Sequence, residues 1–214
     1  MNVLIIGANG KIGTILSKKL KKTPHQPIAM VRKREQQESF EDKGIRTVLA
    51  DLEKDFDHAV ASADAVVFTA GSGAHTGKDK THLVDRASAK KAIDLAVKHK
   101  VDRFVMVSAL SVDASSNNWP ESMAHYYEAK ADADKHLMQS GLNYTILRPG
   151  HLTNDKGTNN IELKDKVSQK GGSIPRTDVA TVVQKALHNK KTFGKTLELL
   201  SGDIPSDEAL NNLS

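Results

Sequence analysis

Apolar residues in this chain of 214 residues fall into short unbroken runs, separated by stretches in which they recur every three or four positions. Residues 3–6, Val-Leu-Ile-Ile, form one such run and stop at Gly7, the pattern of a strand covered on both faces. From 11 to 20, Ile12, Ile15, Leu16 and Leu20 recur at helical spacing with lysines opposite, which predicts an amphipathic helix. The alternation continues with a strand at 27–31, a helix at 35–43, a strand at 46–50, and a strand at 64–69 after a short helix. A long helix at 80–100, a strand at 103–108, a helix at 123–140 closed by Gly141, and a strand at 143–147 complete it. Strands alternating with helices predict a doubly wound parallel α/β sheet in one domain spanning 1–214. Beyond Arg148 the pattern weakens. The stretch 150–172 reads as a polar loop or flap, followed by a late helix at 177–189 and a last strand at 196–200.

Composition narrows the class. Hydrophobic residues make up 38% and charged residues 27%, which excludes a disordered chain. No apolar run approaches the roughly 18 residues a membrane helix needs. The opening Met1-Asn2-Val3-Leu4 lacks the basic and apolar regions of a secretory signal, so a cytoplasmic protein with no membrane partner is expected. Absence of cysteine removes disulfides, thiolate nucleophiles and cysteine-ligated metals. The nine histidines show no HExxH-like pair, so no metal site is expected. A net charge of +5 rests largely on lysines such as Lys18, Lys19, Lys21 and Lys22, which read as a solvated helix face. With aromatics at 4% there is no stacking platform for nucleic acid, so the expected partner is a small molecule; oligomeric state stays open.

Candidate chemistry begins at Gly7-Ala8-Asn9-Gly10-Lys11-Ile12-Gly13, a GxxGxxG pattern lying between a predicted strand and a predicted helix. Glycines there permit a tight turn, close backbone approach to a pyrophosphate, and close helix-to-strand packing. The helix N-terminus adds unpaired N–H groups and positive dipole where a phosphate can sit. The turn from Gly7 through Asn9, Gly10, Lys11 and Ile12 to Gly13 is thus the expected seat of a dinucleotide, and the fold a Rossmann fold. At the end of the second strand stands Arg32-Lys33-Arg34 rather than an acid. A guanidinium grips a 2′-phosphate that a carboxylate would repel, which favours NADP(H) over NAD(H); a solvated basic turn is the plainer reading. Asp51 and Leu52, past the third strand, are placed to meet the adenine, or Asp51 serves only as a turn residue.

Tyr126 and Lys130 stand four residues apart in Tyr126-Tyr127-Glu128-Ala129-Lys130, so on a helix they share a face. A nearby ammonium, together with an oxidised nicotinamide, is expected to draw the phenol pKa down toward the working range and make Tyr126 an acid or base. Lys130 is also placed to bond the nicotinamide ribose. The alternative is a packed tyrosine and a solvated lysine.

These residues, with Phe68-Thr69-Ala70-Gly71, Val107-Ser108-Ala109, Leu147-Arg148-Pro149-Gly150 and Ile174-Pro175-Arg176-Thr177-Asp178, resemble the short-chain dehydrogenase/reductase superfamily. Within it the likeness is to small atypical members of the NAD(P)H-binding, NmrA-like and biliverdin reductase B-like group. The resemblance implies that Thr69, Ala70 and Gly71 line the adenosine side, that Pro149, Gly150 and Leu152 border the nicotinamide, and that Ser108, or else Ser111, is the substrate-side hydroxyl. It implies catalysis by Tyr126, Lys130 and Ser108 in an NADP(H)-dependent oxidoreductase or epimerase acting on a small carbonyl or alcohol. The rival is an NADP(H)-sensing regulatory protein without turnover, because many small relatives lack the tyrosine that this chain has. The chain stops soon after the sheet closes, so sugar-nucleotide specificity is not expected to carry over from larger epimerases.

Overall fold

The computed structural model describes residues 1–71, 81–113, 119–167 and 171–214. Its centre is a sheet of nine strands, ordered β11-β8-β10-β6-β5-β4-β1-β2-β3. Seven of these are mutually parallel: β1 (Asn2–Ile6), β2 (Gln26–Val31), β3 (Arg46–Leu49), β4 (Ala65–Phe68), β5 (Arg103–Val107), β6 (Asn143–Pro149) and β10 (Lys195–Ser201). β8 (Asn160–Lys164) runs antiparallel between β10 and the two-residue β11 (Ile204–Pro205). A separate ribbon joins β7 (His151–Thr153) to β9 (Ser173–Pro175).

β1 shows why its apolar run is continuous. Val3 and Ile5 point into one core with Leu16 and Leu20 of α1 (Lys11–Leu20) and Val179 and Val183 of α6 (Arg176–Ala186). Leu4 and Ile6 point into a second core. There they meet Val60 of α3 (Asp57–Val60), Ile93 of α4 (Ser88–Lys98) and Leu137 of α5 (Ala124–Met138). Successive strand side chains face opposite ways, so a sheet with helices on both faces leaves no position for a polar residue. α2 (Arg34–Glu41) covers only one side and buries Phe40 alone. The chain moves outward from β1 to β2 and β3, then returns to β4 on the other side of β1. That reversal opens a crevice beyond the carboxyl ends of β1 and β4, where open α/β sheets bind ligands.

Two expectations change. The long helix expected at 80–100 is, in its described part, a π-helical segment Thr81–Ala87 that leads into α4. The stretch 150–172, expected as a loop, contains β7 and β8, and β8 enters the main sheet. Asn160-Ile161-Glu162-Leu163-Lys164 alternates polar and apolar, with Ile161 and Leu163 buried, so the strand signal was present but only five residues long. Past β10, α7 (Ser206–Asn211) closes over this edge through Ala209 and Leu210.

Candidate active site

The glycine turn follows β1 and leads directly into α1. Gly7 adopts φ +87°, and a Cβ on it would lie 2.6 Å from the Ala70 nitrogen, so the ends of β1 and β4 touch through backbone alone. A Cβ on Gly13 would lie 2.3 Å from the Gly7 carbonyl oxygen, which explains the third glycine as helix-to-strand packing. Gly10 is the N-cap of α1 and supplies no side-chain acceptor to the first helical amides. With no acidic residue in the first turn, the positive end of α1 faces the crevice beside exposed Asn9 and Lys11, while Ile12 is buried beneath. This glycine cradle and its uncapped amides fit a pyrophosphate. A cavity of about 370 Å³ adjoins the turn, lined among others by Asn9, Lys11, Thr14, Asn154 and Arg176. The larger cavity, about 670 Å³, lies at the opposite edge of the sheet under β8 and α7, away from the turn.

The remaining candidates are distributed around this crevice. Arg32 lies exposed just past β2. Half-buried Asp51 accepts a hydrogen bond from the Glu53 amide at 3.0 Å, a local turn contact, and Leu52 packs on the second core. The Thr69 hydroxyl bonds the Ile6 carbonyl at 3.1 Å, tying β4 to the glycine turn. Pro149 is buried, and Gly150 is required by close approach: a Cβ there would lie 2.2 Å from the Gly172 oxygen. The Leu152 carbonyl accepts from Arg176 at 3.0 Å.

Tyr126, Lys130 and Asp134 form one face of α5. Lys130 is buried; its Nζ lies 3.4 Å from the Ala70 carbonyl, so the lysine reaches the strand end that also touches Gly7. The ammonium also sits 5.8 Å from the centroid of the half-buried Tyr126 ring. Its ion-pair partner is Asp85 of the π-helical segment, fully buried, with Oδ1 3.0 Å from Nζ. Burial alone would lower the Lys130 pKa, but Tyr126 and Asp85 more than offset it and hold it above the ordinary value. Lys130 draws the Tyr126 phenol down, as its spacing predicts, but burial outweighs it. Burial pushes the phenol above its ordinary value, the Lys130 ammonium works against that, and the Asp85 carboxylate works with it. Sequence reasoning missed Asp85 because an aspartate in a long predicted helix carries no mark of facing inward.

Ser108 is buried at the end of β5 and neighbours Asp134 rather than open solvent; its Oγ and Asp134 Oδ1 each lack an aligned hydrogen-bond partner. Burial raises the Asp134 pKa against the pull of Arg148 and the Ser108 hydroxyl. Arg148 of β6 joins Asp134 at 3.0 Å and Asp113 at 2.9 Å, and Lys166 connects Asp113 onward to Glu198. Ser111 has φ +67° and accepts the Trp119 indole N–H on its carbonyl at 3.0 Å. Trp119 stacks on Tyr127, whose ring meets Tyr126 edge-on at 5.6 Å. Among the described residues no helix is long and apolar enough to cross a membrane.

Comparison with known proteins agrees with this geometry. A Bacillus subtilis protein named as an uncharacterized sugar epimerase is 46% identical over the full length of both chains. A solved putative NAD-dependent epimerase/dehydratase from Bacillus halodurans is 44% identical, covers all of both chains and superposes with a TM-score of 0.96. The structure of an oxidoreductase from Lactococcus lactis is 28% identical, with a TM-score of 0.86 over 100% of this chain and 96% of that one. Residues 7–190 match the model of the NAD(P)H-binding family. With the glycine cradle at the switch point of its sheet, the chain belongs to the NAD(P)H-binding family.

Proposed function

We propose that this protein is an NADP(H)-dependent oxidoreductase, or an epimerase that borrows and returns a hydride, of the short-chain dehydrogenase/reductase type, acting on a small carbonyl or alcohol. The observation that carries the reading is the Tyr126–Lys130 pair on α5, with Lys130 anchored at the Ala70 carbonyl where β4 meets the glycine turn. The naming of relatives as an epimerase and an oxidoreductase supports it.

When bound, the nicotinamide supplies or accepts the hydride. The chain's own residues handle binding and the proton. Gly7, Asn9, Gly10, Lys11, Ile12 and Gly13 receive the pyrophosphate, Arg32 the 2′-phosphate, and Asp51, Leu52, Thr69, Ala70 and Gly71 the adenosine side. Pro149, Gly150 and Leu152 border the nicotinamide. An ammonium has three donors; two go to Asp85 and Ala70, and the third serves a ribose hydroxyl. Tyr126, held protonated, gives its proton to a substrate carbonyl oxygen as negative charge develops there, and Ser108 donates to the same oxygen.

NADPH consumption by the purified protein against a panel of ketones, aldehydes and quinones, with NMR detection of epimer formation from added sugars in the presence of oxidised cofactor, tests this. Turnover or epimer formation should fall by about 10²–10⁴-fold in Tyr126→Phe while NADPH binding persists. Full activity in Tyr126→Phe removes the assigned acid. Saturable NADPH binding with neither NADPH consumption nor epimer formation in the wild type overturns the enzymatic reading in favour of a cofactor-sensing protein.

A further inference from the structure

The glycine turn contains a reactive pair that the chemistry above leaves unused. Asn9-Gly10 is the one Asn-Gly step in the sequence. Both residues are exposed, and Asn9 lines the mouth of the cavity of about 370 Å³ beside the turn. Among the described residues the Asn9 carboxamide has no hydrogen-bond partner, so its side-chain torsions are free to carry Cγ toward the next backbone nitrogen. Gly10 has no side chain to shield that nitrogen or to narrow its backbone conformations. What restrains it is one bond: the Gly10 N–H donates to the Gly7 carbonyl at 2.9 Å and closes the turn.

We propose that Asn9-Gly10 is a site of spontaneous deamidation that disables the cofactor turn, and that bound NADP(H) protects it. When the turn opens, the Gly10 nitrogen attacks Asn9 Cγ and a cyclic succinimide forms. The side-chain amide nitrogen leaves as ammonia, taking up the Gly10 N–H proton. Water then opens the ring. Hydrolysis at the main-chain carbonyl leaves isoaspartate, joined to Gly10 through Cγ, and hydrolysis at Cγ leaves aspartate. No electrons are exchanged, and water is the sole co-reactant.

Isoaspartate adds a carbon to the main chain where the turn has no slack. A Cβ on Gly7 would already lie 2.6 Å from the Ala70 nitrogen, and one on Gly13 2.3 Å from the Gly7 oxygen. The added carbon therefore moves Gly10 off the Gly7 carbonyl, and the first amides of α1 move with it. The new carboxylate also stands beside a helix end whose first turn has no acid, where it competes with a pyrophosphate for the same positive dipole. A bound dinucleotide acts in the opposite sense. It stabilises the closed turn, so the reactive open form becomes rarer as occupancy rises. This inference rests on the turn being the cofactor seat.

The full chain, incubated without cofactor at mildly alkaline pH and sampled over days, provides the test. Peptide mass spectrometry with electron-transfer fragmentation places each conversion and separates isoaspartate from aspartate. Asn9 should convert about tenfold or more faster than exposed Asn143 and Asn212, which precede the bulky Tyr144 and Leu213. Saturating NADPH should slow Asn9 by about tenfold or more and leave the other two unchanged. Gly10→Ala should slow Asn9 by about tenfold as well, because a Cβ on residue 10 restricts the approach of its nitrogen. The fraction of protein that binds NADPH, read by fluorescence, should fall in step with isoaspartate at residue 9. Asn9→Ser, compared with its own fresh value, should lose no binding over the same time. Conversion of Asn9 no faster than of Asn143 and Asn212 overturns the proposal, as does conversion that NADPH does not slow or that leaves NADPH binding intact. Fresh protein that binds no NADPH overturns the cofactor seat and this inference with it, whereas normal binding with an unconverted Asn9 overturns this inference alone.

Discussion

Gly13→Ala tests the glycine cradle where two physical effects have opposite sign. Gly13 lies within α1, and replacing glycine by alanine inside a helix ordinarily stabilises by about 1 kcal/mol. Here the new methyl would meet three backbone atoms, the Gly7 oxygen at 2.3 Å, the Ala8 Cα at 2.7 Å and the Ala8 oxygen at 2.9 Å. The shortest is about 1 Å inside van der Waals contact, and backbone cannot rotate aside as a side chain can. Overpacking of this kind costs about 1–3 kcal/mol, and three backbone contacts place it at the upper end. The net loss is then about 2 kcal/mol, a fall in Tm of about 4–8 °C for a chain of this size. Relief requires the turn to move off α1, which also displaces the amides that meet the pyrophosphate. Losing one charge-assisted hydrogen bond of about 1.5–3 kcal/mol weakens NADPH binding tenfold or more. Thermal unfolding and a fluorescence titration measure both. Gly10→Ala is the control, since its only near neighbour among the described residues is the Gly7 oxygen at 3.1 Å, and it should change stability by less than about 1 kcal/mol. A Gly13→Ala protein at or above the wild-type Tm, with NADPH affinity within twofold, would refute the packing argument.

Arg32→Ser removes an exposed guanidinium; NADPH affinity should drop about tenfold or more while NADH affinity and Tm stay within error, and equal losses for both cofactors would dissociate Arg32 from the 2′-phosphate. Arg103 is 1% exposed, stacks on Phe193 and donates to the Ala186, Leu187 and Asn143 carbonyls, which cap the end of α6 and the start of β6. Burial lowers its pKa to about 10, so it remains charged at neutral pH, and Arg103→Met should cost about 3 kcal/mol or more in urea unfolding by stranding those carbonyls. The raised Tyr126 pKa gives a stability term present below about pH 10 and lost as pH climbs through the folded-state value, because the unfolded chain releases its proton first. Urea unfolding between pH 8 and 11 should therefore decline less steeply in Tyr126→Phe than in the wild type; parallel curves would contradict the raised value.

What was legible in the chain was local. The apolar run 3–6, the helical spacing after it and the glycines between them are consequences of near-neighbour geometry, and they appear as β1, the turn and α1. Tyr126 and Lys130 share a face because helical pitch alone brings positions four apart together. The same periodicity could not give the state of the tyrosine. That depends on Asp85, which approaches Lys130 only after the π-helical segment packs against α5, and on burial that no spacing reports. β8 illustrates the other limit: its five alternating residues become a strand by pairing with β10, whose exposed edge is a property of the finished sheet. The ladder from Asp134 through Arg148, Asp113 and Lys166 to Glu198 joins a helix, two strands and the segments after β5 and β8. Short-range stereochemistry, written in the sequence, determined the elements and the cofactor turn. Burial, and electrostatics between residues far apart in the chain that act only once tertiary packing removes water from between them, decided the charge environment of Tyr126.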